Sequence, residues 1–254
     1  MFQQQLLYQM IFKRKSFHLF RNIGDEKLSS KELEDIMTTY KQLTPLCPDI
    51  KTCIKIVPAA ETTCKRGQEF CILLYSEKKD NYLQNIGYLG QQLDLYLVSK
   101  NIGTLWFGIG KTREPSYNGL DFVIMIAISK VDNEIKFRKD MFKSKRKPID
   151  EVWCGEPMEE ITNIVRFAPS ACNTQPWYVE HTEGKLLVYR YKKAEKRGIM
   201  PAAQVSFYNQ IDIGIFLCFL ELCLEHKGMQ HERVLYVDGG QDVEKTLVAV
   251  YTQM

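Results

Sequence analysis

The chain has 254 residues, enough for one or two domains with a substantial core. Hydrophobic residues at 45% and charged residues at 26% are ordinary for a soluble globular protein, and a net charge of +3 is too small to make nucleic acid or a membrane surface the main partner. The eight cysteines form no Cys-x-x-Cys and no Cys/His cluster at zinc or iron–sulfur spacing, so no metal site is expected, and the thiols read as free core residues of a reducing compartment.

Phe2, Leu6, Leu7, Met10 and Ile11 fall at helical spacing and predict an amphipathic helix over 2–13. Positive charge follows these apolar residues, the reverse of a secretory signal, and a cytoplasmic protein is the expectation. The helix runs into Lys13-Arg14-Lys15-Ser16-Phe17-His18-Leu19-Phe20. Basic groups beside a serine suit either a phosphate contact or a solvated helix end. Ser29 and Glu32 form a capping-box element before a second helix with Leu33, Ile36, Met37 and Tyr40 on its apolar face. A loop at 44–49 precedes strands at about 51–58 and 69–75. A longer helix over 79–100 aligns Leu83, Ile86, Leu89, Leu93 and Leu97 and closes at Asn101-Ile102-Gly103.

Gly103 to Gly110 is glycine-dense, either a helix-to-strand loop or a place where backbone approaches a ligand closely. Phe122 to Ile128 is a continuous apolar run, read as a buried strand. Residues 136–147 carry seven basic groups in twelve. With the charge of the whole chain nearly balanced, they read as a solvated face rather than a nucleic-acid patch. A helix from Met158 to Phe167 leads into Ala168-Pro169-Ser170-Ala171-Cys172-Asn173-Thr174-Gln175-Pro176-Trp177, where two prolines forbid a continuing helix or central strand. On the residues alone this is a rigid connection to a strand at 178–180, or a loop offering polar groups to a planar ligand. Ile211 to Leu224 is the longest apolar stretch, but it contains Asp212 and Glu221 and is too short to span a bilayer.

Four of these segments resemble the nitroreductase family of flavoproteins. Residues 168–177 match its loop [AS]-P-S-x-x-N-x-Q-P-W, including both prolines and the tryptophan. Arg14-Lys15-Ser16-Phe17-His18-x-Phe20 resembles its N-terminal R-R-S-x-R-x-F, with His18 in place of a fixed cation. Gly103–Gly110 resembles G-x-G-[ST]-x-W-x-G with one glycine missing, and Lys145–Val152 resembles a basic R-K-P-L-E-E-V ending.

The resemblance implies an α+β fold with a central, mainly antiparallel sheet flanked by helices. It also implies bound FMN, with NADH or NADPH as hydride donor and a small nitroaromatic, quinone or related electron acceptor. In that family the cycle is ping-pong and needs no dedicated side-chain acid or base, so no catalytic residue is assigned. By the same resemblance, Arg14, Lys15, Ser16, Lys145 and Arg146 hold the phosphate end, and His18 faces the pyrimidine edge. Pro169, Ser170, Ala171 and Asn173 border the flavin ring, and Gly108 and Ile109 lie near its N5. A protein that binds FMN without turnover, as storage or regulation, is the alternative of another class; reductive dehalogenation and flavin breakdown are alternatives within the fold.

The chain also reads as a single domain of two related halves, about 31–129 and 158–254, joined by a basic connector at 130–157. At an offset of 125, Glu34 falls on Glu159, Ile36 on Ile161, Cys47 on Cys172 and Gly103 on Gly228, and at nearly the same offset the helix bearing Gly90 lies over the one bearing Gly214. Only the second half carries the Pro169–Asn173 loop; Thr44-Pro45-Leu46-Cys47-Pro48 takes its place in the first. The expectation is a fused, degenerate dimer with one complete site, a monomer by internal pairing or a further homodimer.

Overall fold

The computed structural model of the protein describes residues 2–156, 158–191, 198–239 and 244–253. Three long helices form its centre: α1 (Phe2–Lys13), α3 (Tyr82–Ser99) and α5 (Val205–His226). Asn81 and Asn101 bracket α3 with left-handed φ angles of 62° and 56°, which a helix interior does not admit. α5 is apolar on all sides, as a helix buried all round must be. It begins six residues before the apolar stretch read from the sequence. Among the described residues it is the one helix long and apolar enough to cross a bilayer, and it is buried in the core.

α3 and α5 cross at Gly87 and Gly214. A Cβ on Gly87 would strike the Ile211 carbonyl, and one on Gly214 the Gln84 carbonyl. Across this crossing the glycine that meets Gly214 is Gly87, not the Gly90 singled out from the sequence, which faces Trp106 and Leu74. A lone glycine does not fix register when little else is identical.

The smaller helices are α2 (Ser30–Tyr40) and α4 (Glu159–Val165). The capping box at the start of α2 forms as expected: the Ser29 hydroxyl accepts from the Glu32 amide at 3.3 Å, and Glu32 accepts from the Ser29 amide at 2.9 Å.

The strands are antiparallel in the main, and they divide into two five-stranded sheets instead of one. In the first, β1 (Thr52–Pro58), β2 (Phe70–Ser76), β5 (Leu120–Lys130) and β3 (Ile102–Phe107) lie in that spatial order, with β4 (Ser116–Tyr117) beside β5. In the second, β6 (Trp153–Gly155) pairs parallel to β7 (Trp177–Thr182), followed by β8 (Lys185–Tyr191), β10 (Lys245–Gln253) and β9 (His231–Leu235). The order helix, strand, strand, long helix, strand, strand thus occurs in each half, and the four main strands are arranged alike.

The continuous apolar sequence of β5 follows from burial on both faces. Ile124, Ile126 and Ile128 join the core around the long helices, while Met125 and Ala127 face a second cluster with Phe17, Phe20 and Phe137. That cluster pins residues 14–20 against β3, where the Phe17 amide donates to the Thr104 carbonyl at 2.9 Å.

Candidate functional site

Strand β3 corrects one sequence expectation. Residues 102–107 are a strand at one end of the first sheet rather than a loop, and the chain leaves the sheet only at Gly108. There it meets α5: the Tyr208 hydroxyl donates to the Gly108 carbonyl at 2.9 Å, and a Cβ at 108 would collide with the Tyr208 ring. Gly108 and Ile109 thereby form one rim of a cavity of about 290 Å3, near the lower limit of about 300 Å3 for small-molecule pockets. Arg14, Ser16 and His18 enter it from the segment after α1. Pro169, Ser170 and Ala171 close it from the other half of the chain. Its floor is apolar, with Leu105, Ile124, Ile211 and Ile215.

Arg14 is built into the wall. It is 3% exposed, and its Nε donates to Asp94 at 2.8 Å. Asp94 is fully buried on α3 and also accepts from Trp106 Nε1 at 3.2 Å and from the Thr104 hydroxyl. Nη1 of Arg14 reaches Ser16 Oγ at 3.1 Å, and Nη2 is buried with no partner. A buried guanidinium N–H left unpaired is costly and marks a place for an acceptor.

Lys145, Arg146 and Asn173 line an adjoining cleft of about 440 Å3 that meets the first cavity at Cys172. Asn173 Nδ2 donates to the Lys145 carbonyl at 3.2 Å, and Gln175 Oε1 accepts from the Lys147 amide at 2.8 Å, so the proline-bounded loop and the basic segment are stitched together. Cys172, Asn173 and Gln175 all take left-handed φ angles, 50°, 56° and 50°. Three such residues within four positions store strain that the stitching must hold.

Arg146 donates to the Lys145 and Phe167 carbonyls at 2.9 and 3.1 Å, and its Nε is buried without a partner. Burial, then the charges of Arg138, Arg14 and Arg166, push Arg146 down to about 10; burial and Arg14 do the same to Arg138. Guanidiniums clustered in this way repel one another, and an anion among them would relieve that repulsion. Lys15 lies outside both cavities: its ammonium donates to the Lys136 carbonyl at 2.9 Å and rests over the Phe17 ring.

Four groups of the site were not singled out from the sequence. Arg138 was hidden among the basic residues of 136–147. Arg66, from the β1–β2 connection, lines the cavity with its guanidinium 5.6 Å from the centroid of Phe107, and nothing in the sequence marked it or Tyr208. Asp212 did carry a signal, as a carboxylate inside an apolar run. It is buried in the cavity wall, and both its oxygens accept from the Ala171 amide, at 3.0 and 3.1 Å.

Burial pushes Asp212 up to about 8, with the Ala171 N–H opposing. Between about pH 4 and 8 the native state therefore holds a proton that the unfolded chain releases, and stability falls as pH rises through that window. Denaturation of the protein is expected to show this fall, by up to about 1.4 kcal/mol per pH unit, and Asp212→Asn to remove it. Equal slopes in the two proteins would mean that Asp212 is ionised in the native state.

A second buried cluster joins α5 to α3 and to the 44–49 loop. Glu221 on α5 accepts from the Tyr88 and Tyr251 hydroxyls at 2.6 Å each and from Arg233, whose Nη2 donates to the Leu46 carbonyl at 3.2 Å.

The unpaired nitrogens of Arg14 and Arg146, the arginine cluster, and an apolar cavity beside it suit a ligand with an anionic end and an aromatic body, such as FMN. A family model described as "Putative TM nitroreductase" matches residues 6–224. Among solved structures, a "putative nitroreductase" from Thermotoga maritima is similar over 97% of this chain and 92% of its own, at 21% identity and a TM-score of 0.62, which shows a shared fold. A "putative nitroreductase in complex with FMN" from Desulfovibrio desulfuricans covers 60% of this chain and 97% of its own, at 18% identity and a TM-score of 0.43. A nitroreductase family protein from Clostridium difficile covers 59% and 98%, at 13% identity and 0.45. These last two scores are too low to carry an argument. No curated protein matches the chain. With most of its length matched by the family model and nearly all of it by the Thermotoga fold, the chain belongs to the nitroreductase family, a family of flavin oxidoreductases.

Proposed function

We propose that the protein is an FMN-dependent oxidoreductase that takes hydride from NADH or NADPH and reduces a small quinone, nitroaromatic or related acceptor. The observation that carries this reading is the convergence of Arg14 and Ser16, Gly108 and Ile109, and Pro169 to Ala171 on one cavity, with Arg14 carrying a buried, unpaired Nη2. FMN, when bound, supplies the redox chemistry. The protein's part is to hold it. Arg14, Ser16, Arg146 and Lys145 receive its phosphate end, and Asp94 fixes the angle of the Arg14 fork. The apolar floor and the strained loop border the ring, and His18 stands at the cavity wall where the family pattern has a fixed cation. Lys15 supports the segment from outside and makes no direct contact in this reading.

The same reading makes the chain a fused duplication, with halves at about 31–129 and 158–254, that keeps one site and needs no second copy to complete it. The shared strand order and the Gly87/Gly214 crossing support this.

The test is the visible spectrum of the purified protein, with released flavin quantified against chain, followed by anaerobic reduction with NADH and NADPH. About one FMN per chain and turnover with a quinone are expected. No flavin after incubation with excess FMN would overturn the reading, and bound FMN without turnover would leave a storage or regulatory protein. Arg146→Ala is expected to weaken FMN binding by about 1.5–3 kcal/mol, the scale of a hydrogen bond to a charged group, while leaving the melting temperature of the FMN-free protein near the parent's. Unchanged affinity on titration would remove Arg146 from the phosphate site.

A further inference from the structure

Asp212 is the one carboxylate among the described residues that line the cavity, and the Ala171 amide is its hydrogen-bond donor. Its counterpart across the helix crossing reveals what this arrangement requires. Asn85 stands two residues before Gly87 on α3, as Asp212 stands two before Gly214 on α5; seven residues after those glycines come Asp94 and Glu221. Asn85 Oδ1 accepts from the Cys47 amide at 3.0 Å, in the first-half loop that corresponds to the one bearing Ala171. Each central helix thus anchors a loop amide with a side-chain oxygen. In the half whose loop is packed solid, a neutral amide does this. In the half whose loop borders the cavity, a carboxyl does it.

Anchoring therefore does not require an ionisable group. A carboxyl is the more costly group to bury, since it must either lose its proton into an apolar wall or keep it and find an acceptor for its O–H. The Ala171 N–H satisfies an oxygen and cannot accept that hydrogen. The open direction is the cavity itself. We infer that Asp212 is the proton donor of the cavity, giving the proton that accompanies reduction of the bound electron acceptor.

This rests on the oxidoreductase reading above. Reduction of a quinone to a hydroquinone consumes one hydride equivalent and one proton. The nicotinamide donor supplies the hydride equivalent and is oxidised; Asp212 supplies the proton and becomes a carboxylate; solvent entering the cavity returns the proton before the next cycle. Burial, which raises Asp212 to about 8, keeps the proton in place at neutral pH and puts the group near the value at which general acids work best. The charged and titratable groups around it are Arg14 and His18 from the N-terminal segment, Arg66 from the β1–β2 connection, Cys172 from the loop, and Tyr208 one turn earlier on α5. α3 contributes Asp94, which Arg14 pairs.

The test compares Asp212→Asn with the parent, both loaded with FMN, using two acceptors: a benzoquinone, which takes up protons, and ferricyanide, which takes electrons alone. Asparagine is the substitution to use, because at position 85 an amide oxygen accepts the corresponding loop N–H. The expected result is a loss in quinone kcat about 100-fold greater than any change in turnover with ferricyanide, with little change in the quinone KM. The alkaline fall in quinone kcat near pH 8 should vanish in the variant. Infrared spectra at pH 7 should show a protonated-carboxyl band in the parent that the variant lacks. Equal quinone rates in the two proteins, a parallel fall with both acceptors, or no such band would each overturn the inference while leaving the oxidoreductase reading intact. A parent that binds FMN but turns over neither acceptor would fail that reading first, and this one with it.

Discussion

Arg14→Ala is expected to do two separable things: to weaken FMN binding by about 1.5–3 kcal/mol, and to lower the stability of the FMN-free protein by about 3–5 kcal/mol. The first follows from the buried, unpaired Nη2 of Arg14, which lines the cavity. The second follows from Asp94, which has no exposure and would lose its counter-ion while keeping only neutral donors, Thr104, Trp106 and Gln91. A buried carboxylate without a positive partner is the expensive half of a broken pair. The double variant Arg14→Ala/Asp94→Asn separates the effects, because it removes both charges. Its stability should recover most of the loss, and its FMN affinity should not recover. Urea denaturation of the FMN-free proteins and FMN titration of each measure the two quantities independently. A loss of stability with full FMN affinity would make Arg14 a structural residue alone and would move the phosphate site to the Arg138 and Arg146 side.

Gly214→Ala is expected to cost about 3 kcal/mol or more, at or beyond the upper end of ordinary overpacking. The obstacle is the Gln84 carbonyl and the Tyr88 amide, both backbone atoms of a buried helix, so no side chain can swing aside. α5 would have to move away from α3, carrying Asp212 and the Tyr208 contact to Gly108 with it, and FMN affinity should fall with stability. Gly87→Ala meets the Ile211 carbonyl on the reciprocal side of the same crossing and should cost a similar amount. The double variant should lose less than the two single losses added, since the displacement forced by one methyl makes room for the other. Chemical denaturation of the three proteins checks this; an alanine variant as stable as the parent would mean that the helices do not cross at backbone contact.

What was legible in the sequence was local. The capping box at Ser29 and Glu32, the two-sided burial of β5, and the turn forced by Pro169 and Pro176 each depend on neighbours within a few positions, and each formed where expected. The two-sheet division was not legible, because it depends on which strand edges meet after α3 and α5 have crossed. The sequence singled out Gly90 where Gly87 makes the crossing, for the same reason: the helical register is set by contacts between halves. Arg14, Ser16 and the 168–177 loop could be found through motif resemblance. Arg138 could not, because its neighbours along the chain look like any solvated basic run, and its proximity to Arg14 exists only in space. Lys15 shows the converse: it stands inside the motif, yet its ammonium is turned toward the Lys136 carbonyl.

The cavity has one wall from residues 14–18 and 108–109 and another from 169–171 and 212, all on a single polypeptide. A pocket built between separate chains disassembles on dilution, so its affinity for a ligand falls as the protein becomes scarce. Here the segment between β5 and α4 tethers the walls to each other, and their effective concentration is set by covalent connection. The meeting of these two walls is therefore independent of how much of the protein is present.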